Sequence, residues 1–199
     1  MYEAVLFIVT MSMSVLALVR EEDRARLLAT ARTDFLTGLC NRQGFFELAP
    51  ARLSQAAHKP SSALLAIDLD HFKTINDRYG HEAGDRVLKL FADIVREIAC
   101  PKALSARLGG EEFAVLLPGS SIDDAHIVGR SVAARFAEAV AQHDGLGIPA
   151  TVSIGLAETV GSGDLGTLLA EADRALYRAK MAGRNRVEIA APRQIAKAA

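Results

Sequence analysis

Arg107-Leu108-Gly109-Gly110-Glu111-Glu112-Phe113 sets two glycines and two carboxylates between short apolar segments. Ala103-Leu104-Ser105-Ala106 precedes it, and Phe113-Ala114-Val115-Leu116-Leu117 follows until Pro118 stops the run. The pattern predicts a β-hairpin whose apex needs the positive φ that glycine tolerates. It also puts acid where backbone and ligand can meet. Taken alone, the stretch reads first as plain turn chemistry.

A second acidic element lies upstream. Ala63-Leu64-Leu65-Ala66-Ile67 is a continuous apolar run of the kind buried on both faces of a sheet, and it ends in Asp68-Leu69-Asp70-His71-Phe72-Lys73. The carboxylates therefore sit at the C-terminal end of a strand, where α/β sheets bind ligands and a following helix can offer free N–H groups to phosphate. Asp68 and Asp70, two apart, share a face, with Leu69 pointing away. The competing reading is that both cap the short helix that follows. Carboxylates on two neighbouring elements suit a hard cation such as Mg²⁺, which takes oxygen ligands and substrate phosphates. The five His and two Cys lack zinc spacing.

Asn76-Asp77-Arg78-Tyr79-Gly80-His81-Glu82-Ala83-Gly84-Asp85 is dense in amide and carboxylate groups ahead of an amphipathic segment. Asn both donates and accepts, and Asp accepts two N–H bonds, so the pair suits the edge of guanine; each also suits a turn or cap. Near the end, Tyr177-Arg178-Ala179-Lys180-Met181-Ala182-Gly183-Arg184-Asn185-Arg186 sets Lys180 and Arg184 four apart. On one side of a helix end they complement the helix dipole or meet a polyphosphate.

Together with Asp34-Phe35-Leu36-Thr37-Gly38-Leu39-Cys40-Asn41-Arg42, these motifs run in an order that resembles the GGDEF family of diguanylate cyclases, from about Asp34 to Ile189. The resemblance implies condensation of two GTP into cyclic di-GMP with release of pyrophosphate, in a homodimer whose two domains each hold one GTP. It makes Asp68 and Glu111 the metal carboxylates, with the Leu69 carbonyl as a further ligand to Mg²⁺, or Mn²⁺ in its place. Glu111 is also the implied group for activating the 3′-hydroxyl. Asn76 and Asp85 match the guanine-reading positions, Phe72 and Lys73 the phosphate loop, and Lys180 and Arg184 the terminal-phosphate contacts. Gly109 and Gly110 complete the substrate-binding set, and the signature here is Gly-Gly-Glu-Glu-Phe. For Asp70, support of the site and capping of the next helix remain equally open. The Arg-x-x-Asp pair through which cyclic di-GMP inhibits many members is replaced by Cys100 and Ala103, so ordinary product inhibition is not expected.

The chain has 199 residues, half of them apolar, which suffices for one core and not two. Net charge is −1, without a basic block, so no nucleic-acid partner is expected. No Ser-His-Asp pattern is evident, and Cys40 and Cys100 read as reduced thiols. The expected fold is α+β: a central, mainly antiparallel five-stranded sheet covered by helices, as in the family's cyclase-like palm, preceded by an N-terminal apolar helix. Helices are expected near 41–57, 82–99, 121–142 and 164–181, with Pro50 kinking or ending the first. Strands are expected near 62–68, 102–107, 112–117, 150–156 and 186–190.

Ala4 to Val19 is uncharged and nearly all apolar. As a helix it spans ~24 Å against the ~30 Å hydrocarbon core, and Met1 to Glu3 make up the difference. It reads first as a transmembrane helix over 1–19, with a dimer-packing helix or a core segment as alternatives. A signal peptide fits poorly, because the leading residues are not basic. Arg20, Arg24 and Arg26 follow, which places the catalytic domain in the cytoplasm, at the inner membrane. Residues 20–33 read as a linker helix, 34–190 as the catalytic domain and 191–199 as a tail.

Overall fold

The computed structural model describes residues 32–56, 58, 61–142, 149–161 and 163–191, together with Tyr2 and Met11. Apart from Tyr2 and Met11, the expected transmembrane helix lies outside the described residues, as do most of the expected linker and tail. Arg32, at the end of the expected linker helix, stands in a turn, and Thr33 bridges to Cys40. No helix among the described residues is long and apolar enough to cross a membrane.

The elements run β1 (Cys40–Asn41), α1 (Arg42–Gln55), β2 (Ser61–Leu69), α2 (Phe72–Tyr79), α3 (His81–Ile98), β3 (Leu104–Gly109), β4 (Glu112–Leu117), α4 (Ile122–Gln142), β5 (Val152–Val160), α5 (Leu165–Met181) and β6 (Val187–Ile189). They form one sheet of order β1-β3-β4-β2-β5-β6. The three central pairings are antiparallel and the two edge pairings, β1 with β3 and β5 with β6, are parallel. The α+β, mainly antiparallel expectation holds. The strand count is corrected from five to six, because β1 is two residues long and too short to carry a period-2 pattern.

Strand β2 is central, and all nine of its residues are buried. Its alternation sorts them between two cores. Ala63, Leu65, Ile67 and Leu69 join Val87, Leu88, Phe91, Phe113 and Phe136 under α3 and α4. Leu64 and Ala66 join Phe45, Leu53, Ala114, Leu168 and Ala172 under α1 and α5. Phe91 makes edge-on contacts with Phe113 and Phe136, at centroid distances of 4.7 and 5.1 Å, the geometry that aromatic quadrupoles favour. α5 lies directly on β5: a Cβ at Gly155 would stand 2.1 Å from the Ala172 carbonyl oxygen. That close approach fixes the height of α5 above the sheet.

Asn41 caps α1 by accepting from the Gly44 N–H at 2.9 Å, and Asp164 caps α5 through the Thr167 N–H at 2.8 Å. Pro50 does not end α1, which continues to Gln55. The segment after Asp70 forms a full helix, α2, separated from α3 by Gly80 at φ 83°.

Candidate functional site

The site gathers at one edge of the sheet, where β2 stops, the β3–β4 hairpin turns and α5 ends. Gly109 and Gly110 have φ of 156° and 48°, and space around both is open to a Cβ, so backbone conformation is what selects glycine there. The register shifts between Arg107 and Gly109, a bulge that re-aims the hairpin end. Asp68 pairs in register with Glu112 on one side and Ser153 on the other. The Leu69 N–H donates to the Glu111 carbonyl at 3.2 Å. Asp68, Leu69 and Glu111 are thereby brought to neighbouring backbone positions. Asp68 is buried, Glu111 half-buried and Glu112 exposed.

Lys180, in the last turn of α5, places its Nζ 2.7 Å from Asp68 Oδ2. An oxygen of the expected metal ligand thus already faces a cation. Among the described residues no group of three or more His, Cys, Asp or Glu is arranged to hold a metal ion. The chain itself offers two carboxylates and a carbonyl, a set that fits Mg²⁺ completed by phosphate oxygens and water better than a closed protein cage.

Asp70 does not cap α2: the residue before the helix is His71, in the left-handed region at φ 56°, and no side chain caps it. Asp70 instead accepts from the hydroxyls of Thr151 and Ser153, each at 2.7 Å, and from the Asn185 N–H at 3.0 Å. Without a side-chain cap, the first N–H groups of α2, at Phe72 and Lys73, are the orphan donors of a helix N-terminus. Phe72 is buried and anchors that turn, while Lys73 is exposed.

Arg184 is not on the helix, which ends at Met181. The four-residue spacing to Lys180 is therefore not helical. Arg184 is carried by a turn in which Arg184 and Asn185 have φ of 64° and 47°. Its N–H bonds back to the Ala179 carbonyl at 3.0 Å.

Asn76 on α2 and Asp85, just past the first turn of α3, flank the Gly80 joint. A Cβ at Gly84 would lie 1.9 Å from Asn76 Oδ1, so the Asn76 carboxamide rests directly on that glycine. On the opposite sheet face, a groove of about 490 Å³ runs along α1 and α5 to Glu112 and Lys180 and includes Arg42, Phe46 and Tyr177. Neither Asn76 nor Asp85 lines it.

Sequence reasoning gave no role to Arg107 or Asp34. The Arg107 guanidinium donates to the Gly110 carbonyl at 2.9 Å and pairs with Asp34 at 3.3 Å. Asp34 also accepts from the Thr37 N–H at 2.9 Å and the Thr37 hydroxyl at 2.6 Å. Burial pushes the Asp34 carboxyl up, but these donors and Arg107 outweigh it and hold it below its ordinary value. No motif spacing links residues 34 and 107; charge complementarity between Asp34 and the arginine before the glycines was the available signal. Burial pushes the Cys40 thiol up against the pull of Arg32, so it is not an activated nucleophile.

Residues 31–186 match the family described as diguanylate cyclase, GGDEF domain. The uncharacterized protein YhcK of Bacillus subtilis is 42% identical over 161 residues, 79% of this chain and 45% of that protein. Diguanylate cyclase DgcM of Escherichia coli is 42% identical over 159 residues, 79% of this chain and 38% of that one. The chain thus spans less than half the length of either relative. The crystal structure of the coiled coil and GGDEF domain of DgcB from Caulobacter crescentus, in complex with c-di-GMP, superposes with a TM-score of 0.80 at 30% identity, covering 90% of this chain and 95% of that one. The six-stranded sheet with its helices is the palm-like GGDEF fold, and the chain belongs to the GGDEF family of diguanylate cyclases.

Proposed function

We propose that this chain condenses two GTP into cyclic di-GMP with release of pyrophosphate, as a homodimer and with Mg²⁺ or Mn²⁺. The observation that carries the reading is the convergence of Asp68, Leu69 and Glu111, locked by the Leu69 N–H to Glu111 carbonyl bond, with a cationic side chain against Asp68. When bound, the divalent ion supplies charge neutralisation at the polyphosphate and at the attacking oxygen. Asp68, Glu111 and the Leu69 carbonyl would hold it. The N–H groups of Phe72 and Lys73 donate to phosphate oxygens. Lys180 exchanges its carboxylate partner for the terminal phosphates, where Arg184 adds a planar fork. Asn76 and Asp85 pair with the guanine edge, which disfavours bases that leave them unpaired. Glu111 draws the proton from the 3′-hydroxyl as it attacks the α-phosphate in line.

One domain presents one such set of groups, and joining two GTP needs two sets facing each other, so the homodimer is part of the proposal. DgcM is named a diguanylate cyclase, and the DgcB structure contains c-di-GMP, the product proposed here. We further propose that residues 1–19 anchor the protein in the inner membrane, with the catalytic domain in the cytoplasm; sedimentation with membranes of the full chain, but not of a chain starting at Arg20, is the expected result.

The test is to incubate the protein with GTP and Mg²⁺ at several protein concentrations and assay cyclic di-GMP. Product that rises more steeply than protein concentration supports an obligate dimer. GTP binding without product favours a silent binding module.

A further inference from the structure

The buried carboxylate of Asp70 has no place in the set of groups assigned above. It is 3% exposed and lies just beyond β2. Oδ1 accepts from Ser153 Oγ at 2.7 Å, while Oδ2 accepts from Thr151 Oγ1 at 2.7 Å and from the Asn185 N–H at 3.0 Å. Its own N–H donates to the Thr151 carbonyl at 2.8 Å, which ties the backbone at Asp70 to the entry of β5. A charged acceptor with donors on both oxygens holds its geometry more firmly than a neutral one.

What it holds is an uncommon conformation. Arg184 and Asn185 are consecutive non-glycine residues in the left-handed region, which side chains of this kind adopt only where surrounding structure enforces it. The turn is gripped from two sides. From α5, the Ala179 carbonyl takes the Arg184 N–H at 3.0 Å; from just beyond β2, Asp70 takes the Asn185 N–H. The following residue is tied to β5, because the Arg186 carbonyl accepts the Ile154 N–H at 2.9 Å. Within this frame the Arg184 side chain is exposed, four residues beyond Lys180 and its contact with Asp68.

We propose that Asp70 is a positioning residue: its carboxylate sets the Arg184–Asn185 turn so that the Arg184 guanidinium meets the substrate's terminal phosphates. This rests on the reading of the site as a GTP site. Asp70 touches neither the nucleotide nor the reacting atoms. Its effect on Arg184 passes through the Asn185 N–H, so the loss is expected at the phosphate end of the substrate.

The experiment measures binding of a non-hydrolysable GTP analogue and of GMP, each with Mg²⁺, by calorimetry on the full chain. Asp70→Asn keeps one carbonyl oxygen but turns an NH₂ toward a donor. It is expected to weaken the triphosphate about tenfold, the scale of one charge-assisted contact, and to leave GMP unchanged. Arg184→Ala is expected to show the same pattern, and the double variant to bind no more weakly than Arg184→Ala alone. Equal weakening of both nucleotides, or full additivity with Arg184→Ala, overturns the positioning role. Thr151→Val removes only the hydroxyl that shares Oδ2 with Asn185, so it serves if Asp70→Asn does not fold; a smaller loss confined to the triphosphate is expected, and no loss counts against the proposal. Wild-type protein that binds the triphosphate no better than GMP overturns the site reading itself, whereas a preference retained in Asp70→Asn overturns the positioning alone.

Discussion

Gly84 sits under the Asn76 carboxamide, and replacing it by alanine tests the base-reading proposal without touching a proposed contact. The added Cβ would lie 1.9 Å from Asn76 Oδ1, 3.0 Å from its Cγ and 3.1 Å from Phe72 Cζ. No Cβ tolerates so short a contact, and the half-buried Asn76 side chain is free to swing, so Oδ1 must retreat by about 1 Å or more. A hydrogen bond to guanine does not survive such a shift, since bonds weaken steeply beyond ~3.2 Å. Losing it and leaving the base group unpaired costs about 1–3 kcal/mol, or roughly 5- to 150-fold in kcat/KM for GTP. Stability moves the other way: alanine gains about 1 kcal/mol of helix propensity within α3, offset by crowding against Phe72. The expected result is a near-normal Tm, a lowered kcat/KM for GTP and no further loss when Gly84→Ala is placed on Asn76→Ala. A folded Gly84→Ala enzyme with wild-type kcat/KM, or an effect fully additive with Asn76→Ala, would refute the argument.

Three further expectations follow from the same geometry. Asp34 has a folded-state pKa below its ordinary 3.8, so its contribution to stability is complete above that value and is lost as the pH falls through the lower folded pKa; the urea-midpoint difference between wild type and Asp34→Asn should be constant above about pH 5 and shrink below about pH 4. Glu111→Gln, which keeps size but removes the charge offered to the metal and to the proton, should lower turnover by about 100-fold or more, the scale of a lost general base; normal turnover would remove Glu111 from that role. Cyclic di-GMP at low micromolar concentration should not slow the enzyme non-competitively, because Cys100 and Ala103 offer no charge at the turn before β3, and clear non-competitive inhibition would contradict it.

The parts of the fold legible in the sequence are those with a period long enough to read. The β2 run, the hairpin glycines and helices α1, α3, α4 and α5 lie within a few residues of where alternation and caps put them. Strand β1 is illegible because two residues hold no period, and α2, expected only as a short helix after Asp70, has no capping side chain to mark its start. The site shows the same division. Asp68, Glu111, Asn76 and Asp85 stand on or beside regular elements and could be located from motif spacing. Asp70 could not be decided, because its partners Thr151, Ser153 and Asn185 are distant in sequence and two of them are hydroxyl residues with no pattern of their own. The spacing of four suggests that Lys180 and Arg184 share one side of a helix end, but it does not reveal that the chain leaves the helix at Met181.

The hairpin apex is held on two sides by contacts of different kinds. On one side the Glu111 carbonyl joins the backbone of β2 through Leu69, so the apex follows the buried central strand. On the other, a single guanidinium, that of Arg107, grips both the Gly110 carbonyl and Asp34. Asp34 belongs to the turn whose Thr37 carbonyl is in turn held by Arg96 of α3 at 2.9 Å. A displacement of residues 34–37 cannot therefore leave Gly110 untouched unless the Arg107–Asp34 pair breaks first. That pair is only 13% and 15% exposed on its two side chains, and breaking it would leave charge stranded in a poorly hydrated place. The segment that enters the domain at Asp34 and the hairpin apex beside Glu111 are thus joined through one poorly exposed guanidinium.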